Sequence, residues 1–178
     1  ALAVNVGGAG EFALADVATL LSLSTATTGF LPGAAIGLDT TNAGGSLTYA
    51  APLVDGNGGA NSLGLVKLGS GTLALAAANT YTGATTVAGG SLVFSGAGSL
   101  PAASAGWFVS GSGAVLDAAN LAGPSYTLGS LGVAAGGTLA LGANSVTFGA
   151  GTGNTIAGAL TGNGALTYTG SSTLTLSS

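Results

Sequence analysis

The chain has 178 residues, of which 35 are Gly and 47% are hydrophobic, and a single Lys or Arg stands against five Asp and Glu for a net charge of -4. With no Cys and no His, it offers no zinc finger, thiolate nucleophile, disulfide framework or histidine-based triad. One cation makes no electrostatic footprint for nucleic acid, and high hydrophobicity with little charge is the reverse of a disordered composition.

The chain opens on an alternating run, Leu2-Ala3-Val4-Asn5-Val6, that reads as a strand. Glu11 to Ser24 then places Phe12, Val17, Leu20, Leu21 and Ser24 nearer a helical than an alternating spacing, which predicts a short helix over 11–24. Its most apolar stretch, Phe12 to Leu23, contains Asp16 and falls short of the roughly 20 residues a membrane-spanning helix needs. Ala1 to Gly10 lacks the basic region of a secretory signal. After a break at Gly29-Phe30-Leu31-Pro32-Gly33, Ala35–Leu38 and Ser46–Tyr49 look like strands, and Asp55-Gly56-Asn57-Gly58-Gly59 is a turn.

Beyond it, short alternations punctuated by glycine dominate. Thr72–Leu75, Ser91–Phe94, Thr138–Leu141, Ser145–Phe148, Ala165–Tyr168 and Thr173–Leu176 read as strands, and Ala114–Leu116, Tyr126–Leu128 and Asn154–Ile156 as weaker ones. Three such strands would fill about 20 to 30 residues, one coil of a parallel β-helix. Strands this short do not suit a lipid-facing barrel, which takes about nine to eleven residues each. A sandwich also accommodates short strands. Self-similarity decides against it: the run Leu65 to Leu75 returns as Leu166 to Leu176, with Leu, Gly, Ser, Thr, Leu and Leu at matching offsets. The fold class expected is therefore all-β, a β-solenoid with one short helix near its N-terminus. It is one segment over 1–178, with the helix-bearing part at 1–62, a full repeat at 63–101 and further coils over 102–178 that end in a partial second repeat. Leu73, Leu75, Val87, Leu92, Phe94, Leu139, Leu141, Val146, Phe148, Ile156, Leu174 and Leu176 are expected to point inward.

The run Leu65-Val66-Lys67-Leu68-Gly69-Ser70-Gly71-Thr72-Leu73-Ala74-Leu75, then Ala78-Asn79-Thr80-Tyr81-Thr82-Gly83, Thr85-Thr86-Val87 and Gly90-Ser91-Leu92, resembles an autotransporter-associated β-strand repeat, also called the passenger-associated transport repeat. Val66 and Leu68 stand where Thr is commoner in that family. The resemblance implies a right-handed parallel β-helix, secreted from or displayed on a bacterium with an outer membrane. It carries over no catalytic residue.

Several residues invite a chemical reading. Asp39, Asp55 and Asp117 are candidates for the carboxylates of a polysaccharide lyase or hydrolase, but no Arg or His accompanies them, and scattered turn acids are the simpler reading. Asp55-Gly56-Asn57-Gly58-Gly59 has one carboxylate, too few for a calcium loop. Lys67 is expected at the surface beside a carboxylate. Trp107, followed by Phe108, is read as filling a wider coil, with an exposed sugar platform as the alternative. Gly7-Gly8-Ala9-Gly10 and Gly151-Thr152-Gly153-Asn154 precede no Lys-Ser/Thr helix, so nucleotide binding is unsupported. No catalytic residue, cofactor or metal is expected. The expected function is a non-catalytic structural segment of an extracellular filament or stalk, stacking head to tail on copies of itself or neighbouring repeats. The alternative is an adhesin module that binds glycan or another surface.

Overall fold

The computed structural model describes residues 1–95, 98–100, 103–121 and 125–177. In chain order the first half comprises β1 (Leu2–Asn5), α1 (Leu14–Ser22), β2 (Ala34–Asp39), β3 (Ser46–Tyr49), β4 (Leu63–Leu68), β5 (Thr72–Leu75), β6 (Thr85–Val87) and β7 (Ser91–Phe94). The second half comprises β8 (Ala103–Val109), β9 (Val115–Asp117), β10 (Ser125–Val133), β11 (Thr138–Gly142), β12 (Ser145–Phe148), β13 (Thr155–Ile156), β14 (Ala159–Gly162), β15 (Leu166–Tyr168) and β16 (Thr175–Leu176).

The strands alternate between two sheets as the chain winds. Sheet one runs β1-β2-β4-β6-β8-β10-β12-β15, with β13 and β16 continuing it beside β10, and sheet two runs β3-β5-β7-β9-β11-β14. The named strands pair in parallel with the strand of the coil before and the coil after. This is a parallel β-solenoid. Three strands per coil were expected. The early coils spend only two, one in each sheet, and a third appears where β10 hands on to the separate strands β12 and β13.

Parallel stacking in register makes each inward position a column of equivalent residues. In sheet two Leu47, Leu73, Leu92, Leu116, Leu139 and Leu160 lie one over another, six leucines deep. A second column carries Tyr49, Leu75 and Phe94. In sheet one Thr85, Trp107 and Leu131 continue the line of Leu2, Ile36 and Leu65. Outward neighbours such as Ser46, Thr72 and Ser91 pair among themselves, so the strand alternation keeps polar residues on the outside. Each fully buried leucine contributes about 1.5 to 3 kcal/mol through removal of its surface from water.

The helix forms over a shorter span than 11–24. It starts where the Asp16 carboxylate accepts the Ala13 N–H at 2.8 Å and stops at Leu23, whose N–H returns to Leu20. Val17 is buried, and Leu14, Leu20 and Leu21 pack on the same core. In the first turn α1 stands between β1 and β2, the place a sheet-two strand takes in each later turn.

The expected inward set holds from Leu73 to Ile156, Leu174 packs on the same core, and one member, Leu176, needs correction. Leu174 is half-buried and Leu176 is 69% exposed. Leu176 keeps the inward register, since it pairs with buried Ile156, but β16 is an edge strand and no strand among the described residues pairs with its other side. The two copies of the internal repeat also follow different paths. The first turns from sheet one at β4 into sheet two at β5, whereas the second keeps both strands, β15 and β16, in sheet one. Tyr168 takes the place of Lys67 there, and its hydroxyl bonds to Ser172, which replaces Gly71.

Truncating Leu75 tests the register. Leu75→Ala should cost about 2 to 5 kcal/mol in chemical denaturation, while Thr72→Ser on the outer face should change stability by less than about 0.5 kcal/mol.

Candidate functional site

Lys67, Asn79, Tyr81 and Asp55 build the corners between β3 and β7. Lys67 is the centre of one corner. The alternation Leu63, Leu65, Lys67 gives it an inward phase, and it occupies a column of Val4, Leu38, Val87, Val109, Val133 and Ile156. Surface exposure was expected; the side chain is fully buried instead. Bringing an ammonium out of water costs several kcal/mol unless its donors are met, and here all three are. Nζ donates to the carbonyl oxygens of Leu68 at 2.6 Å, Gly69 at 2.9 Å and Gly89 at 3.1 Å. Two of these acceptors belong to the same corner and the third to the corner of the next coil. Gly69, at φ +74°, makes the turn, and a Cβ there would overlap Asp39 and Thr41. Burial pulls the Lys67 amine down to about 8, and the negative charge of Asp39 partly opposes that shift.

The next corner is built from Asn79-Thr80-Tyr81-Thr82-Gly83. The Asn79 carboxamide accepts the N–H of Leu53 from the coil before and donates to Ala77 and to Ser99 of the coil after. Tyr81 is fully buried, its hydroxyl 2.7 Å from that of Thr85, and burial pushes its pKa up. Asp55 binds this corner from below. Its carboxylate accepts the N–H groups of Leu63 at 2.8 Å and Thr82 at 2.9 Å and the Thr82 hydroxyl at 2.7 Å. Gly83 passes so close to β4 that a Cβ would lie 2.6 Å from the Leu63 carbonyl carbon and 2.7 Å from the Gly64 nitrogen. Asn144 and Asn154 serve later coils in the same way, through Ala118 and Leu131. The asparagines spend their polar atoms on backbone and Asp55 accepts two backbone N–H groups beside the Thr82 hydroxyl, so the arrangement clamps consecutive coils together.

The three candidate acids are not brought together. Asp39 lies on β2 in sheet one and Asp117 on β9 in sheet two, and each accepts a backbone N–H two residues ahead, from Thr41 and Ala119. The hydrogen bonds from Thr41 hold Asp39 below the usual carboxylate range. No group of three or more metal-ligating side chains forms among the described residues. Trp107 is fully buried, 5.5 Å from the Tyr126 ring, which bears out its reading as a filler and removes it as a sugar platform. Its indole N–H has no partner among the described residues. The roles of Asp55 and Asn79 lie beyond sequence reasoning. The inward phase of Lys67 was visible in its alternation with Leu63 and Leu65.

Lys67 makes stability depend on alkaline pH. Its amine holds a proton less tightly in the native state, at about 8, than in the unfolded chain at about 10.4. Below pH 8 Lys67 is protonated in both states and adds no pH dependence; from there to about pH 10 only the unfolded chain binds the proton, so stability rises. Tyr81 has the opposite sign. The unfolded chain loses its phenolic proton first, so stability falls above about pH 10. Denaturation at pH 7, 8 and 9.5 should show a gain of up to about 2 kcal/mol over the last interval, absent in Lys67→Met. At the neighbouring corner, Gly83→Ala should cost about 1 to 3 kcal/mol, because the Leu63 peptide would have to shift.

A family model described as passenger-associated-transport-repeat matches residues 65–94. No curated protein and no solved structure matches the chain. The matched span opens inside β4, contains the Lys67 and Asn79 corners, and closes with β7. Residues 65–94 thus match a passenger-associated transport repeat, and the chain around them folds as a parallel β-solenoid.

Proposed function

We propose that the chain is a non-catalytic structural segment of a bacterial passenger, secreted or displayed at the cell surface, forming part of a stalk or filament whose coils continue end to end into a neighbouring unit. The observation that carries the reading is the match of residues 65–94 to a passenger-associated transport repeat, set in coils that stack in register on both sides of it. Every residue of β14 is exposed, and Leu160 and Leu176 are open to solvent directly over buried Leu139 and Ile156. At the other end Leu2 is 46% exposed on top of buried Ile36. A row of unpaired backbone groups over an apolar column is a template for another coil. The joining of one end to the other is heterologous and non-closing, so it extends a fibre. In this reading a second copy of the chain supplies the next coil.

Light scattering and negative-stain microscopy on the isolated chain test the second-copy form. Elongated particles that grow with concentration are expected, and Leu176→Lys should suppress them without altering the circular dichroism, since a charge on the edge strand blocks pairing. A chain that stays monomeric at every concentration, or a lysine variant that associates equally well, overturns it. The adhesin alternative finds support away from Trp107, in a cleft beside α1.

A further inference from the structure

Between α1 and the turn that follows β3 lies a cleft of about 320 Å³, lined on the helix side by Ala18, Leu21 and Ser22 and on the other by Pro52, Val54 and Asn57. At its base is Tyr49. The ring is locked in the sheet-two column over Leu75, and the residue is only 2% exposed. Its hydroxyl has no hydrogen-bond partner among the described residues, and desolvation alone raises its pKa. The buried polar side-chain atoms left without a partner among the described residues are those of Thr40 and Trp107, so the Tyr49 hydroxyl keeps contact with solvent. Tyr49 lines the cleft, so what remains accessible of it faces that space.

The lining restricts what can enter. Asp55 is the one ionisable wall residue besides Tyr49, and its carboxylate already accepts from Leu63 and twice from Thr82. No cation is available, because Lys67 is sealed in the core. An anion would meet Asp55 without a counter-charge, and a cation would have to compete with three donors for it. The ligand that fits is neutral. The walls are mainly aliphatic, and Val54 is 48% exposed. They suit a ring with one C–H face, while the Tyr49 hydroxyl, the Asn57 carboxamide and the Ser22 hydroxyl suit hydroxyl groups on its rim. The volume lies at the lower limit of small-molecule sites, about 300 Å³, which is room for one sugar ring. At the mouth Asn57 takes a left-handed conformation at φ 50°, an uncommon state for a residue other than glycine.

We infer that this cleft is a binding site for a neutral hexose unit, with Tyr49 as its buried hydrogen-bonding anchor. The inference deepens the adhesin reading, on which it rests, and is independent of end-to-end stacking. Saturation-transfer NMR with glucose, galactose, mannose and N-acetylglucosamine on the full chain tests it, with indole as an apolar control. Expected is saturable binding of at least one sugar, weakened about tenfold in Tyr49→Phe. The variant should keep the wild-type circular dichroism and melting curve, because the hydroxyl it removes has no partner in the protein. Filling the cleft with Ala18→Leu should weaken binding as well. Sugar binding that both variants leave unchanged overturns the cleft while the adhesin reading stands. Absence of binding to every sugar and to a wider glycan panel removes both. Indole binding without sugar binding overturns the ligand class.

Discussion

Parallel coil-on-coil pairing is the constraint from which the rest of the structure follows. Within an interior strand the backbone N–H and C=O groups pair with the coils above and below, but at a corner that ladder is interrupted. A buried polar group left unpaired there costs about 1 to 3 kcal/mol. The chain meets that demand with side chains borrowed across coils. Asn79 joins Leu53 to Ser99, Asp55 joins Leu63 to Thr82, and Lys67 collects carbonyls from two successive corners. The composition reflects this division of labour. Aliphatic residues fill the columns, glycines pass the corners, and a few amides and carboxylates close them.

The same constraint explains how much of the fold was legible in the sequence. Leu73, Leu92 and Leu139 announced their columns, because alternation in a four-residue strand leaves one phase for the interior. The internal copy at Leu166 pointed to a solenoid, although its path departs from that of the first copy once Tyr168 replaces Lys67. What could not be read were contacts between residues far apart in sequence. Nothing around Asp55 signals that its carboxylate will hold Thr82, and nothing around Tyr49 signals a helix set opposite it. Lys67 misled for a different reason. A lone cation belongs at the surface by its hydration, and only the inward carbonyls of the Gly69 and Gly89 corners outweigh that preference.

The helix has a place in the same scheme. A sheet edge left bare at the first turn would expose the start of the leucine column, and α1 lies where that strand would run, with Val17 buried against the core. Just before the helix, Phe12 bridges Val6 at the end of β1, and Leu20 and Leu23 lie beside Leu2. The cleft beside Tyr49 arises from the substitution: a cylinder laid where a flat strand would lie cannot follow its surface.

The burial of Lys67 also fixes how the chain meets proteases. With no arginine and a single lysine, a trypsin-like enzyme has one peptide bond to cut, between Lys67 and Leu68. That bond lies inside β4, hydrogen-bonded to β2 on one side and β6 on the other, and its specificity side chain faces the core. Cleavage therefore requires the coils on both sides of β4 to separate, and when it occurs it yields two fragments and no more. To digestion after basic residues the intact solenoid is closed, and the appearance of that one cut counts openings of its central coils.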